Sequence, residues 1–154
     1  MPEPIRIDVV TDIDAAWHEL EPLYFGLHEH HLGLAPGRRL RPDWATTQRK
    51  ALESTADSLL LIARAGGTPV GLADGLLRSH PIVEERFGYL NVAYVVPDQR
   101  GGLGRALYER FEAWCREMGV GEVRLRVETA NALGMQVWEG LGFRPFAVEM
   151  VKAI

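Results

Sequence analysis

The chain is expected to fold as an α/β or α+β sandwich, with helices on both faces of a central sheet. Three observations lead there. Short apolar runs suited to strands alternate with longer runs of helical spacing. The second half reads in the order strand, helix, strand, helix, strand. No internal repeat or long linker divides the sequence, and 154 residues suit one domain spanning residues 1–154.

Composition narrows the class. Apolar residues make up 47% and charged residues 25%, the mix of a soluble globular domain rather than a disordered chain. A net charge of −4 argues against a general nucleic-acid binder, which would carry a basic surface. The first eight residues contain no apolar h-region, so no signal peptide is expected. The longest apolar runs, Leu59 to Ala63 and Val92 to Val96, are too short to cross a membrane. A single cysteine, Cys115, precludes an internal disulfide and suits a reducing, cytoplasmic setting.

Ile5, Ile7 and Val9 alternate with Arg6 and Asp8, which predicts a first strand. Thr11 to Asp14 reads as a helix start of the capping-box kind, and Ile13, Trp17, Leu20, Tyr24 and Leu27 follow at helical spacing. Pro22 falls inside that pattern and predicts a kink or two helices. Leu32 to Pro42 is a loop, and Asp43 is placed to cap a short helix from Trp44 to about Leu52. Leu59 to Ala63 predicts a buried strand, Ala65 to Thr68 a turn, and Val70 to Leu77 the second arm of a hairpin. A charged loop with Pro81 and Glu84-Glu85-Arg86 precedes a strand from Tyr89 to Val96. Leu103, Leu107, Phe111, Cys115 and Met118 mark one face of a long helix ended by Gly119 and Gly121. Val123, Leu125 and Val127 predict another strand. Asn131 opens a helix that Gly142 stops, and a last strand is expected from about Phe146 to Lys152.

The segment between the Tyr89 strand and the long helix carries the chemistry. Three of its residues from Gly101 to Gly104 are glycine. A helix start leaves backbone N–H groups unpaired and partly positive, and glycines let an anionic phosphate come close to them. A dinucleotide fingerprint fails, because Gly102-Leu103-Gly104-Arg105-Ala106-Leu107 lacks the third glycine, and no Gly-Lys-Ser/Thr ending marks a P-loop. The pattern present is Gln99-Arg100-Gly101-Gly102-Leu103-Gly104, or Q-x-x-G-x-G.

That pattern resembles the acetyl-CoA pyrophosphate loop of the GNAT superfamily of N-acetyltransferases. A second motif follows in order: Asn131, then Val137-Trp138-Glu139-Gly140-Leu141-Gly142-Phe143, similar to the N-x6-Y-E-x-x-G-F helix of the same enzymes. The resemblance covers about the last two thirds of the chain, from Leu59 onward. It implies a mixed, mostly antiparallel, twisted sheet, with acetyl-CoA as cosubstrate and no metal. It also implies an amine acceptor, and it leaves room for a homodimer. By the same resemblance, loop amides from Arg100 to Arg105, with Gln99, Gly101, Gly102, Leu103 and Gly104 in the motif, grip the pyrophosphate. Backbone groups near Tyr94 and Val95 pair with the pantetheine arm, Asn131 bonds it, and Trp138 lies near the thioester sulfur.

Two departures stand out. Pro97 to Gln99 is one residue shorter than the common spacing, and Trp138 stands where many members have a tyrosine that protonates the leaving thiolate. The base is open between Glu128, Glu84 or Glu85, and water. Glu128 shares a strand face with Arg124 and Arg126 near Asn131. The acceptor pocket is expected from the first third and the His80 to Gly88 loop. His28 and His31 share a helix face but lack further metal ligands, so a surface or substrate-facing cluster is the better reading. Arg38-Arg39-Leu40-Arg41 reads as a solvated loop before an anion site. Cys115 and the tryptophans Trp17, Trp44 and Trp114 read as core or pocket wall. A silent acyl-CoA-binding module is the runner-up, and a Rossmann-type nucleotide domain comes third.

Overall fold

A computed structural model describes residues 3–53 and 56–154. Its sheet has the order β1-β2-β3-β4-β5, with β1 Ile5–Val9, β2 Ser58–Ala65, β3 Thr68–Ser79, β4 Arg86–Val95 and β5 Val123–Leu125. The first three pairings are antiparallel, and only β4 with β5 is parallel. The helices are α1 Ile13–Gly33, α2 Trp44–Glu53, α3 Leu103–Glu117 and α4 Ala132–Gly140.

The pattern of side chains in β2 explains the layering. Leu59, Leu61 and Ala63 pack in the cluster that holds Leu107, Phe111 and Cys115 of α3. Leu60 and Ile62 pack with Leu20, Leu23, Tyr24 and Leu27 of α1. The strand is buried on both faces, so it reads as a continuous apolar run rather than an alternation. The close seat of α3 depends on Gly75 of β3: a Cβ there would lie 2.4 Å from Phe111 Cε2 and 2.6 Å from the Tyr89 carbonyl oxygen. Cys115 is on the buried face of the same helix, and burial pushes its thiol up to about 11, far from a reactive thiolate.

Several expectations are corrected. α1 runs as one helix of 21 residues through Pro22, with no division into two. Its apolar face, from Ala16 to Leu27, is buried against the sheet, and that packing offsets the single backbone bond a proline removes. Asp12 caps α1 by accepting from the Ala15 N–H at 3.1 Å, but no acid stands at position 15 to complete a capping box. Asp43 spends its carboxylate on Arg41 at 3.0 Å. β5 stops at Leu125, so Val127 and Glu128 lie beyond it.

Residues 143–154 form no ladder, so the last expected strand is absent among the described residues. Alternation alone does not make a strand without an edge to pair with. This segment meets its neighbours through side chains: Arg126 Nε to Glu149 Oε2 at 2.8 Å, and the Arg124 guanidinium over the Phe146 ring at 4.5 Å. Phe146, Val148 and Met150 are exposed.

Candidate active site

The site forms where the sheet opens. β4 and β5 pair only from Gly88–Val123 to Leu90–Leu125. Beyond Leu90, β4 continues to Val95 with no strand on that side among the described residues. A strand edge left open in this way presents backbone donors and acceptors to any extended partner. Tyr94 and Val95 lie on this stretch, paired on the other side with Leu72 and Gly71 of β3. The Val95 carbonyl already accepts from Arg100 Nε at 3.4 Å.

The chain then turns through a short 3-10 helix, Pro97–Gln99, and enters α3. Gly101 and Gly102 take φ of +124° and +121°, backbone that side chains rarely adopt. A Cβ at either would meet nothing within 4 Å, so the approach to the helix start is open. The first internal bond of α3 runs from the Ala106 N–H to the Gly102 carbonyl at 3.0 Å. The N–H groups of Leu103, Gly104 and Arg105 therefore have no partner within the helix. The Arg100 and Gln99 N–H groups donate within the turn, to the Pro97 and Val96 carbonyls at 3.4 and 3.0 Å. The Arg105 side chain pairs with Glu109 at 2.8 Å.

Asn131 caps α4, its Oδ1 accepting from the Gly134 N–H at 2.9 Å. Trp138 of α4 is half-buried and meets Tyr108 of α3 edge-on, with ring centroids 5.8 Å apart, and Phe143 likewise at 5.6 Å. Burial, and then Glu112, push the Tyr108 hydroxyl well above its ordinary value. The three rings lock α4 to α3 and hold the indole beside the helix that carries the glycine loop.

Glu128 follows β5 and pairs with Arg38 Nη1 at 2.7 Å, from the loop after α1. The hydrogen bond from Arg38 holds its carboxyl below the usual carboxylate range, and the Arg38 charge adds to that. His31 lies in the same electrostatic neighbourhood. Partial desolvation, then His30 and His28, pull its imidazole below the ordinary value. His28 instead ties α1 to α2, with Nε2 3.2 Å from Gln48 Oε1 and its ring edge-on to Trp44 at 5.4 Å. Glu85 pairs with Arg124, and Arg41 with Asp43. Among the described residues, no group of three or more His, Cys, Asp or Glu side chains is placed to hold a metal ion.

Sequence reasoning missed Asp74. It is the only carboxylate, lysine, arginine or histidine side chain among the described residues that is buried, at 6% exposure. The one signal was an acid in the middle of the Val70 to Leu77 apolar run. The α1 side of the sheet also carries an open hollow of about 1100 Å³ beneath the start of α1 and the end of α2. Asp12, Asp14, Glu53, Asp74 and Asn91 are among its walls, and Arg49 pairs with both Asp14 and Glu53.

The model of the Acetyltransferase (GNAT) family matches residues 15–143, and the chain belongs to that family. A curated relative, mycothiol acetyltransferase of Thermobispora bispora, is 35% identical over 94 residues. That match spans 58% of this chain but only 31% of the relative's length. Among solved structures, an aminoglycoside N-acetyltransferase in complex with CoA is similar with a TM-score of 0.73 at 18% identity, covering 100% of this chain and 98% of that one. Ribosomal-protein-alanine N-acetyltransferase from Brucella melitensis gives a TM-score of 0.75 at 21% identity, covering 98% and 100%. The BH1408 protein from Bacillus halodurans gives 0.80 at 19%, covering 97% and 99%. At these identities the structures establish a common fold. No helix among the described residues is long and apolar enough to cross a membrane.

Proposed function

We propose that this chain, as one acyltransferase domain working in the cytoplasm, moves an acetyl group from acetyl-CoA to a primary amine of a small molecule or protein. The observation that carries the reading is the glycine-opened start of α3 beside the unpaired edge of β4. The N–H groups from Gly101 to Arg105 suit a pyrophosphate, and the β4 edge at Tyr94 and Val95 suits an extended amide arm. Acetyl-CoA supplies a thioester with a good leaving group. The amine lone pair forms the new C–N bond, the C–S bond breaks with its electron pair on sulfur, and the proton lost by nitrogen balances the thiol released.

The test is CoA thiol release with acetyl-CoA and four acceptors: spermidine, kanamycin, tyramine and a peptide beginning with alanine. Transfer to at least one is expected. Tight acetyl-CoA binding with no transfer to any would favour the second reading, a silent acyl-CoA-binding module, whose specific support is the tryptophan at position 138.

Trp138 cannot act as a general acid, because an indole N–H has no proton to give near neutral pH. A thiolate leaves tolerably without one, since a free thiol has a pKa of about 8.5. Trp138 is proposed to pack against the thioester. Trp138→Phe keeps the ring contacts and is expected to lose less than about tenfold in kcat. Trp138→Tyr is expected to match or exceed the parent rate. Collapse of Trp138→Phe with intact cofactor affinity would give the indole N–H the larger role.

Glu128 is proposed as the proton acceptor at the mouth. Its carboxyl is held below the usual range, so it is ionised at and above neutral pH and loses its charge only as pH falls through that lowered value. The rise of kcat/KM above neutral pH should therefore follow the acceptor amine alone, which titrates near 10.4 for an alkyl amine. Glu128→Gln should lower kcat/KM at pH 7 by about tenfold or more, with acetyl-CoA affinity kept. A wild-type rate in this variant removes Glu128 from the mechanism.

A further inference from the structure

The register between β3 and β4 slips at one place. Asp74 stands opposite Val92 and Gly75 opposite Leu90, which leaves Asn91 as the extra residue of a bulge. Bulges re-aim a side chain, and they gather beside active sites. This one falls where β4 loses β5, one residue past the Leu90–Leu125 pair. Asn91 is exposed, and it is part of the wall of the hollow. It therefore stands at both the opening of the sheet and the α1-side hollow.

Its orientation is dictated from behind. Asn91 Nδ2 donates to Asp74 Oδ1 at 2.8 Å, and the Tyr24 hydroxyl donates to Asp74 Oδ2 at 2.5 Å. Asp74 therefore faces the NH2 end of the Asn91 amide. The Asn91 carbonyl oxygen is thereby turned away from Asp74, and it accepts no hydrogen bond among the described residues. Burying a carboxylate is costly unless it is hydrogen-bonded, and here both oxygens are engaged. Burial raises the Asp74 carboxyl, and the bonds from Tyr24 and Asn91 oppose that rise.

We propose that Asn91 receives the attacking amine through Oδ1, with Asp74 and Tyr24 as the residues that position it. This rests on the acetyl-transfer reading given above. An amine attacks along its lone pair, so one N–H must be held away from the thioester carbonyl. A neutral amide oxygen does this without holding the nitrogen as an ammonium ion, whose lone pair is spent.

The experiment measures CoA release with spermidine, kanamycin, tyramine and the alanine peptide, together with acetyl-CoA Kd by calorimetry and Tm. Asn91→Ala is expected to raise the acceptor KM by about tenfold or more, the worth of one hydrogen bond to a partly charged donor. Its acetyl-CoA Kd should stay within about twofold of the parent, well inside the roughly tenfold step of one lost bond. Asp74→Asn keeps the shape, but either end of its amide can face Asn91. A smaller rise in acceptor KM is expected, whereas a purely structural Asp74 would change Tm and leave KM alone. In the acetyl-CoA-loaded parent, each acetylated amine should shift the Asn91 side-chain amide resonance. Parent-like kcat/KM in Asn91→Ala with every amine overturns the inference and leaves acetyl transfer standing. A loss confined to acetyl-CoA affinity overturns it too. A parent that acetylates none of the four overturns the acetyl-transfer reading first.

Discussion

Gly102→Val is expected to fold and to lose the stabilisation that acetyl-CoA gives the parent. At φ +121° a valine is strained, which costs on the order of 1–3 kcal/mol. That falls within the roughly 5–15 kcal/mol available to a domain, and the new side chain meets no protein atom within 4 Å of its Cβ. The space it fills is the approach to the Leu103 and Gly104 N–H groups. At a hundredfold excess over Kd a ligand adds about 2.7 kcal/mol. For a chain of this size that is a rise of roughly 5–10 °C in Tm. The parent should show that rise with acetyl-CoA, and Gly102→Val should show almost none. A parent-like shift in the variant would place the pyrophosphate elsewhere. No shift in the parent would remove acetyl-CoA as the cosubstrate.

Gly75→Ala should be among the most destabilising single methyl additions in the molecule. Its Cβ would stand 2.4 and 2.5 Å from two Phe111 ring atoms and 2.6 Å from the Tyr89 carbonyl oxygen. The ring can shift only by displacing its own packing, since Phe111 is fully buried, and the carbonyl belongs to the sheet ladder. Overpacking of this kind costs about 1–3 kcal/mol or more, and a backbone clash argues for the upper end. A fall of roughly 10 °C in Tm is expected. Phe111→Leu in the same chain clears the ring atoms but not the Tyr89 oxygen, so it should return only part of the loss. If Gly75→Ala melts like the parent, α3 does not sit on β3 as tightly as described. The stake is functional as well, because the seat of Phe111 fixes where the glycine loop at the head of α3 points.

What was legible beforehand was local. The glycine run after β4 and the Asn131 cap are signals carried by a few adjacent residues, and both stand where expected. Pro22 does not divide α1 in two, because its penalty is local, whereas the burial that offsets it comes from the whole α1 face. The last strand misled because Phe146, Val148 and Met150 show alternation, and alternation says nothing of a partner edge. Val127 failed similarly, since the ladder ends where β5 leaves β4, a tertiary event. Asp74 meets Tyr24 from 50 residues away and Asn91 from 17 residues away across a register slip. No short-range pattern announces a slip of that kind, so this cluster was invisible until the strands were laid side by side.

The two walls of the cleft are held unequally. One is β4, tied along most of its length to β3; the other begins with β5, tied to the sheet by three residue pairs. Short ladders open at small free-energy cost, so the second wall is expected to spend part of its time ajar. A cosubstrate that bridges both walls must then select the closed population. The apparent dissociation constant is the intrinsic one divided by the closed fraction. Variants that lengthen or brace β5 would tighten binding with no new contact to the cosubstrate, and they would slow the departure of spent CoA by the same device.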